Sequence, residues 1–160
     1  MDKKLLFIVN PRAGRTKSFA PLFDAVACFS KAGYLVKVFL TEGRGDATRA
    51  AAELGGAYDL VVCAGGDGTL NEVITGIMRS GIACTLGYIP SGTLNEWSSG
   101  LQISRSIKRA AEDITTGKKI RLDIGKFGDK YFSYTASFGA FTDASYSAPQ
   151  DVKNVLGQAA

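Results

Sequence analysis

The residues most able to do chemistry in this 160-residue chain cluster at Gly65-Gly66-Asp67-Gly68, followed by Thr69, Asn71 and Glu72. Glycines let a ligand approach the backbone, and a helix starting here would offer unpaired N–H groups and a partial positive charge. Phosphate suits such a corner, and Asp67 could hold Mg²⁺ directly or through water. No lysine follows the glycines in the Walker spacing, so the stretch is not a P-loop. Thr69 and Glu72 have the spacing of a capping box, which predicts a helix beginning at the turn.

Gly68-Thr69-Leu70-Asn71-Glu72 recurs letter for letter as Gly92-Thr93-Leu94-Asn95-Glu96, after Pro90-Ser91. The echo predicts two neighbouring strand-turn-helix corners of similar chemistry, each capped by its threonine. Asn10-Pro11-Arg12-Ala13-Gly14 forms another glycine-bearing turn, followed by Arg15 and Lys17. These cations could meet nucleotide phosphates or anionic headgroups, or simply solvate a helix start. Trp97 is read as packing, with a lipid contact as the alternative.

The chain contains no histidine, and Cys28, Cys63 and Cys84 lack CxxC spacing. A cysteine-histidine zinc site or dyad is excluded, and buried reduced thiols are expected. A net charge of +4, with Lys and Arg scattered, gives no case for nucleic acid. No run reaches the roughly 20 apolar residues of a membrane span, so a cytoplasmic protein is expected, with action at a membrane surface left open.

The elements that must position these groups follow from hydrophobic period. Lys4 to Val9, Tyr34 to Leu40, Leu60 to Ala64 and Ala83 to Ile89 read as strands. Phe19, Leu22, Phe23, Val26 and Phe29 give helix spacing, as do Ala47, Ala50, Ala51 and Leu54, then Leu70, Val73, Ile74 and Ile77. A fourth helix uses Ile107, Ala110, Ala111 and Ile114. Alternating strands and helices predict an α/β fold: a parallel sheet with helices on both faces, in which ligands bind beyond the C-terminal strand ends. The strands end at Asn10, Thr41, Gly65 and Pro90, so all four turns should share one edge.

The texture changes near residues 118–126. Ile120 to Phe127 alternates with period two, Gly128-Asp129 signals a turn, and Tyr131 to Phe138 is strand-like, predicting a β-hairpin. Two units follow from this: an α/β domain over 1–120 and the start of a β-rich domain over 121–160. Helix spacing at Val152, Val155, Leu156 and Ala159 runs on without a stop signal, so the sequence is expected to be the first half of a longer protein. Tyr131, Phe132, Tyr134, Phe138 and Phe141 would cover the sandwich core of a longer protein, and some of them are expected to be left exposed here, which predicts self-association into a homo-oligomer.

These residues resemble the diacylglycerol kinase catalytic-domain family of lipid kinases over essentially the whole chain. Gly65 to Glu72 matches its GGDGTxNE. Asn10-Pro11 with Gly14 is similar to NPxSG, with Ala13 in the serine position, and Pro90 to Glu96 to PxGTxND, with Glu96 for aspartate and Leu94 where glycine is frequent. Arg121 to Gly125 resembles R-x-D-x-G, and Phe138-Gly139-Ala140-Phe141 an S-x-G-F/A turn. The resemblance implies a Rossmann-like three-layer nucleotide-binding domain and the first hairpin of a β-sandwich lipid domain. It implies ATP and Mg²⁺ as cofactors and a lipid alcohol as acceptor. Asp67 is then the catalytic and metal-binding residue, with further metal ligands and the general base beyond Ala160. Asn10, Thr41, Gly65, Gly66, Asp67, Gly68, Thr69, Asn71, Glu72 and Thr93 become nucleotide-binding residues, and Asp123 part of an inner polar network or a surface ion pair. An NAD kinase and a non-catalytic nucleotide-binding regulatory domain are the alternatives; the Pro90-Ser91-Gly92-Thr93 corner argues against the first and the intact GGDGTxNE against the second.

Overall fold

A computed structural model describes residues 3–14 and 20–133. Arg15, Lys17, Phe19, Tyr134, Phe138, Phe141 and the helix spacing from Val152 to Ala159 lie outside them.

Four β-branched and apolar runs form the strands β1 (Lys3–Val9), β2 (Tyr34–Leu40), β3 (Leu60–Gly65) and β4 (Thr85–Pro90). They pair in parallel in the order β2-β1-β3-β4. Residues 5–9 of β1 and 60–65 of β3 are buried throughout, as expected of strands covered on both faces.

Helices α1 (Ala20–Lys31) and α5 (Ile107–Thr116) cover one face, packing Leu22, Ala25, Phe29, Ile107 and Ala110 on Phe7, Val62 and Ile89. Helices α2 (Asp46–Leu54) and α3 (Asp67–Ser80) cover the other, where Ala47, Ala50, Leu70, Val73 and Ile74 meet Leu6, Ile8, Val61 and Cys63. Small residues let α2 and α3 approach closely: a side chain at Gly76 would strike the backbone carbonyl of Thr48. The three-layer parallel α/β fold read from the sequence is what the structure shows.

Since every ladder is parallel, all four C-terminal strand ends lie on one edge. Chain direction across the sheet reverses between β1 and β3: β1 leads outward to β2, and β3 leads the other way to β4. This places the topological switch point, where open α/β sheets bind ligands, between Asn10 and the Gly65 corner.

Several local expectations are corrected. Phe23 is 72% exposed, because α1 presents Leu22, Ala25 and Phe29 to the core. The fourth strand starts at Thr85, two residues later than its pattern. A five-residue helix α4 (Glu96–Gly100) and a 3₁₀ turn over Gly55–Ala57 are too short to have a period of their own. Cys63 is buried, but Cys28 and Cys84 are only half-buried.

The hairpin is present, though shorter than its alternation. Strands β5 (Gly125–Phe127) and β6 (Lys130–Phe132) pair antiparallel across Gly128-Asp129, with Gly128 at φ +57° in the left-handed region a tight turn requires. The alternation from Ile120 to Ile124 finds no strand partner, leaving Ile120 and Leu122 exposed.

Candidate functional site at the strand-end corner

The fourteen-residue helix α3 begins three residues earlier than the capping-box reading, at Asp67, with Gly66 as its N-cap and no side chain capping it. The first bond of the helix turn is Leu70 N–H to Gly66 O at 3.0 Å. The N–H groups of Asp67, Gly68 and Thr69 precede it and so have no partner within the helix. A Cβ built on Gly68 would meet nothing within 4 Å, so the backbone here is open to an approaching group.

The capping box does not form, because its two side chains are engaged elsewhere. Thr69 Oγ1 accepts from Asn10 Nδ2 at 3.0 Å, across the switch point. Asn10 also accepts from Arg12 N–H through Oδ1 at 2.9 Å, and its own N–H extends the sheet to Ala64 O at 2.9 Å. Glu72 Oε1 accepts from Gly45 N–H at 3.0 Å, and Glu72 O from the Thr48 hydroxyl at 3.1 Å. Three strand ends are thereby bound into one unit. Thr41 is buried at the end of β2, its N–H donating to Val9 O at 2.9 Å. In the loop that follows, the Asp46 carboxylate accepts from Glu42 N–H and Gly43 N–H, each at 2.9 Å, and pairs with Arg49 at 3.1 Å. Those backbone bonds and the guanidinium hold its carboxyl below the usual range.

The second GTLNE copy has another conformation. Gly92 lies backbone to backbone on Gly66, where a Cβ would come 2.6 Å from Gly66 Cα. Asn95 is buried with φ 52° and ψ 52°, a left-handed geometry that asparagine tolerates, and its side chain bonds both Gly92 N–H and Gly92 O. The helix therefore starts at Glu96, three residues past Thr93, and the threonine does not cap it. Instead the Asp67 carboxylate reaches across and accepts from Glu96 N–H at 2.9 Å and Trp97 N–H at 3.4 Å. The corners are neighbours, but five identical letters do different work in each.

Beneath both corners the Tyr88 hydroxyl donates to Gly65 O at 3.1 Å, while burial and the nearby Asp67 charge push its pKa up, keeping it a neutral donor. Burial, with Glu72 nearby, raises the Cys63 thiol similarly and leaves it inert. Ser91 Oγ is the one buried side-chain polar atom without a hydrogen-bond partner among the described residues. Trp97, Tyr88, Ser91 and Asn95 form the support of this site. Ser91, Asn95 and Trp97 fall in or beside the second motif, but their supporting roles could not be read from it, since a left-handed asparagine and a shared backbone contact carry no periodic signal.

Of the sequence candidates, Asn10, Gly65, Gly66, Asp67, Gly68, Thr69 and Glu72 are brought together by these bonds, and Thr41 joins them through β1. Asn71 is half-exposed on α3 and Thr93 half-exposed after Gly92. Asp123 stands apart, exposed, with no ion pair to Arg121 or Lys126, lining a cleft of ≈ 260 Å³ with Trp97, Leu101, Leu122 and Ser133. No cluster of three or more acids or cysteines among the described residues could cage a metal. One half-buried carboxylate beside open N–H groups fits a cation that keeps most of its waters and shares phosphate oxygens. Asp67 retains lone pairs beyond the two N–H bonds it accepts.

Comparison with known proteins gives the same direction. Residues 4–127 match the diacylglycerol kinase catalytic domain. Diacylglycerol kinases of Staphylococcus aureus (strain MRSA252) and Staphylococcus saprophyticus subsp. saprophyticus are each 39% identical over 158 residues, 98% of this chain and 50% and 52% of theirs. The crystal structure of a diacylglycerol kinase from Bacillus anthracis str. Sterne is similar with a TM-score of 0.76 and 33% identity, over 82% of this chain and 46% of that one. The chain spans about half the length of the curated relatives it matches. It belongs to the diacylglycerol kinase catalytic-domain family.

Proposed function

We propose that this chain is the nucleotide-binding part of an ATP-dependent lipid kinase that transfers the γ-phosphoryl group to a lipid hydroxyl such as that of diacylglycerol. The observation that carries the reading is the uncapped start of α3 at the switch point, open at Gly68 and tied by Asn10 and Glu72 to the neighbouring strand ends.

Phosphoryl transfer needs positioning and charge neutralisation more than covalent chemistry. The N–H groups of residues 67–69 and the positive end of α3 supply both to an anionic chain of phosphates. Asp67 would hold Mg²⁺ together with the nucleotide, and the ion would supply neutralising charge to the phosphates. Thr41, Asn71 and Thr93 stand around the same strand ends and would meet the remainder of the nucleotide. We place the general base and the lipid cleft in the part of the relatives' length that this chain does not span, and residues 121–160 as the start of that second domain.

Among the described residues no helix is long and apolar enough to cross a membrane. We further propose a cytoplasmic enzyme that meets its lipid at a membrane surface and self-associates through its β-rich segment. Transfer of labelled γ-phosphoryl from ATP over a panel of lipid alcohols and NAD, using the full-length protein, tests the reading. Labelled phospholipid is expected. Labelled NADP would favour the NAD kinase alternative, and binding without transfer a regulatory domain. The 160-residue chain alone should transfer poorly, and robust phosphorylation by it would refute this placement of the base.

A further inference from the structure

Trp97 sits between the phosphate-ready corner and the β5–β6 hairpin, and touches both. Its N–H donates to Asp67 Oδ1 at 3.4 Å. Its ring meets Tyr88 edge to face, with centroids 5.7 Å apart, and Tyr88 in turn holds Gly65 O. Its indole Nε1–H donates to Ser133 O, just past β6, at 3.1 Å. One face of the same residue lines the ≈ 260 Å³ cleft that opens between α4, Asp123 and Ser133.

A surface tryptophan that only covered apolar area would not need its one polar atom aimed at a backbone carbonyl in another element. Indole N–H has a single donor and a fixed ring plane, so this bond sets direction as well as distance. The aromatic contact below fixes the ring, and that contact is anchored to the glycine corner. The hairpin is short, three residues in each strand, and has little internal stability of its own. Its other hydrogen-bonded tether among the described residues is Arg79 Nη2 to Asp129 O at 3.3 Å, from an exposed side chain at the far end of α3, against which β6 also packs.

We propose that Trp97 is a positioning residue for phosphoryl transfer: a strut that fixes the β5–β6 segment and the cleft beside it at a set distance from Asp67 and the α3 N-terminus. This rests on the kinase reading above and adds the element that aligns acceptor side with donor side. Trp97 contacts neither phosphate nor lipid hydroxyl on this account. It acts through Ser133 O and Asp67.

The test compares full-length wild type with Trp97→Phe, which keeps a ring against Tyr88 and loses the N–H donor. Hydrogen exchange reads the strut directly. Amides of residues 125–132 should exchange several-fold faster in the variant, on the order of the loss of one hydrogen bond, while those of β1 and β3 stay unchanged. Kinetics read its consequence: kcat for the lipid acceptor should fall roughly ten- to hundredfold, as for a misplaced reacting group, with KM for ATP held within about twofold. Unchanged hairpin exchange, a wild-type kcat, or a loss confined to KM for ATP would each overturn the assignment. Faster exchange in β1 and β3 as well would show a general loss of fold and overturn it too. A wild-type protein without ATP-dependent transfer would remove the kinase reading itself, and the exchange result distinguishes that failure from failure of the strut.

Discussion

At the scale of single residues, two glycines followed by the same four residues make opposite demands. Gly68 faces open space, whereas Gly92 is pressed on the Gly66 backbone. Gly68→Ala should leave stability within about 1 kcal/mol, since alanine suits a helix first turn, yet weaken nucleotide binding about tenfold by placing a methyl in the phosphate path. Gly92→Ala should cost about 2 kcal/mol or more through overpacking. Thermal melts and MgATP titration calorimetry of the two variants check both statements; a stable Gly92→Ala protein would show that the corners are not wedged together. Asp67 accepts the first N–H groups of α4, and on the proposed function the same carboxylate would also hold the cation. Its substitution therefore touches fold as well as chemistry, more than a turn aspartate would.

At the scale of elements, the loop after β2 depends on Asp46. Its carboxyl is held low by N–H donors at Glu42 and Gly43 and by Arg49. A depressed folded pKa means the contribution is present above the unfolded value near 4 and is lost as pH falls through the lower folded value. Amides of Glu42 and Gly43 should lose protection as pH drops below the ordinary carboxylate range, and in Asp46→Asn that pH dependence should flatten. Exchange equally protected at low pH would contradict it. The major elements were legible because their burial imposes a period: the two-sided runs of β1 and β3, and the i, i+3, i+4, i+7 face of α3. What periodicity could not carry was phase and capping. Phe23 sits inside a helical pattern yet faces solvent. Thr69 and Glu72 have capping-box spacing, yet bond Asn10 and Gly45 at distant positions in the chain. Long-range partners have no local signature, and the left-handed Asn95 that delays α4 depends on Gly92 already lying against Gly66.

At the scale of the whole molecule, the parallel order β2-β1-β3-β4 explains why the site could be read at all. Once four strands are parallel their ends converge, and the glycine corner must lie at the switch point. The small hairpin and the segment leading into it are different, with Phe127 72% exposed and Ile120 66% exposed. Self-association of the 160-residue chain through this surface is expected to depend on concentration, and Phe127→Ser should weaken it; equal sedimentation of both proteins across concentrations would rule the surface out.

On the proposed function, the Gly65 to Thr69 corner, with Asp67, would hold the phosphates and cation of ATP during transfer to a lipid. Phosphoryl transfer from labelled ATP to diacylglycerol by the full-length protein, wild type against Asp67→Asn, addresses it most directly. ATP- and Mg²⁺-dependent transfer is expected of the wild type and a loss of roughly a hundredfold or more in Asp67→Asn, with a folded-state penalty of only about 1 kcal/mol for the weakened α4 cap. Transfer by Asp67→Asn at the wild-type rate would contradict it.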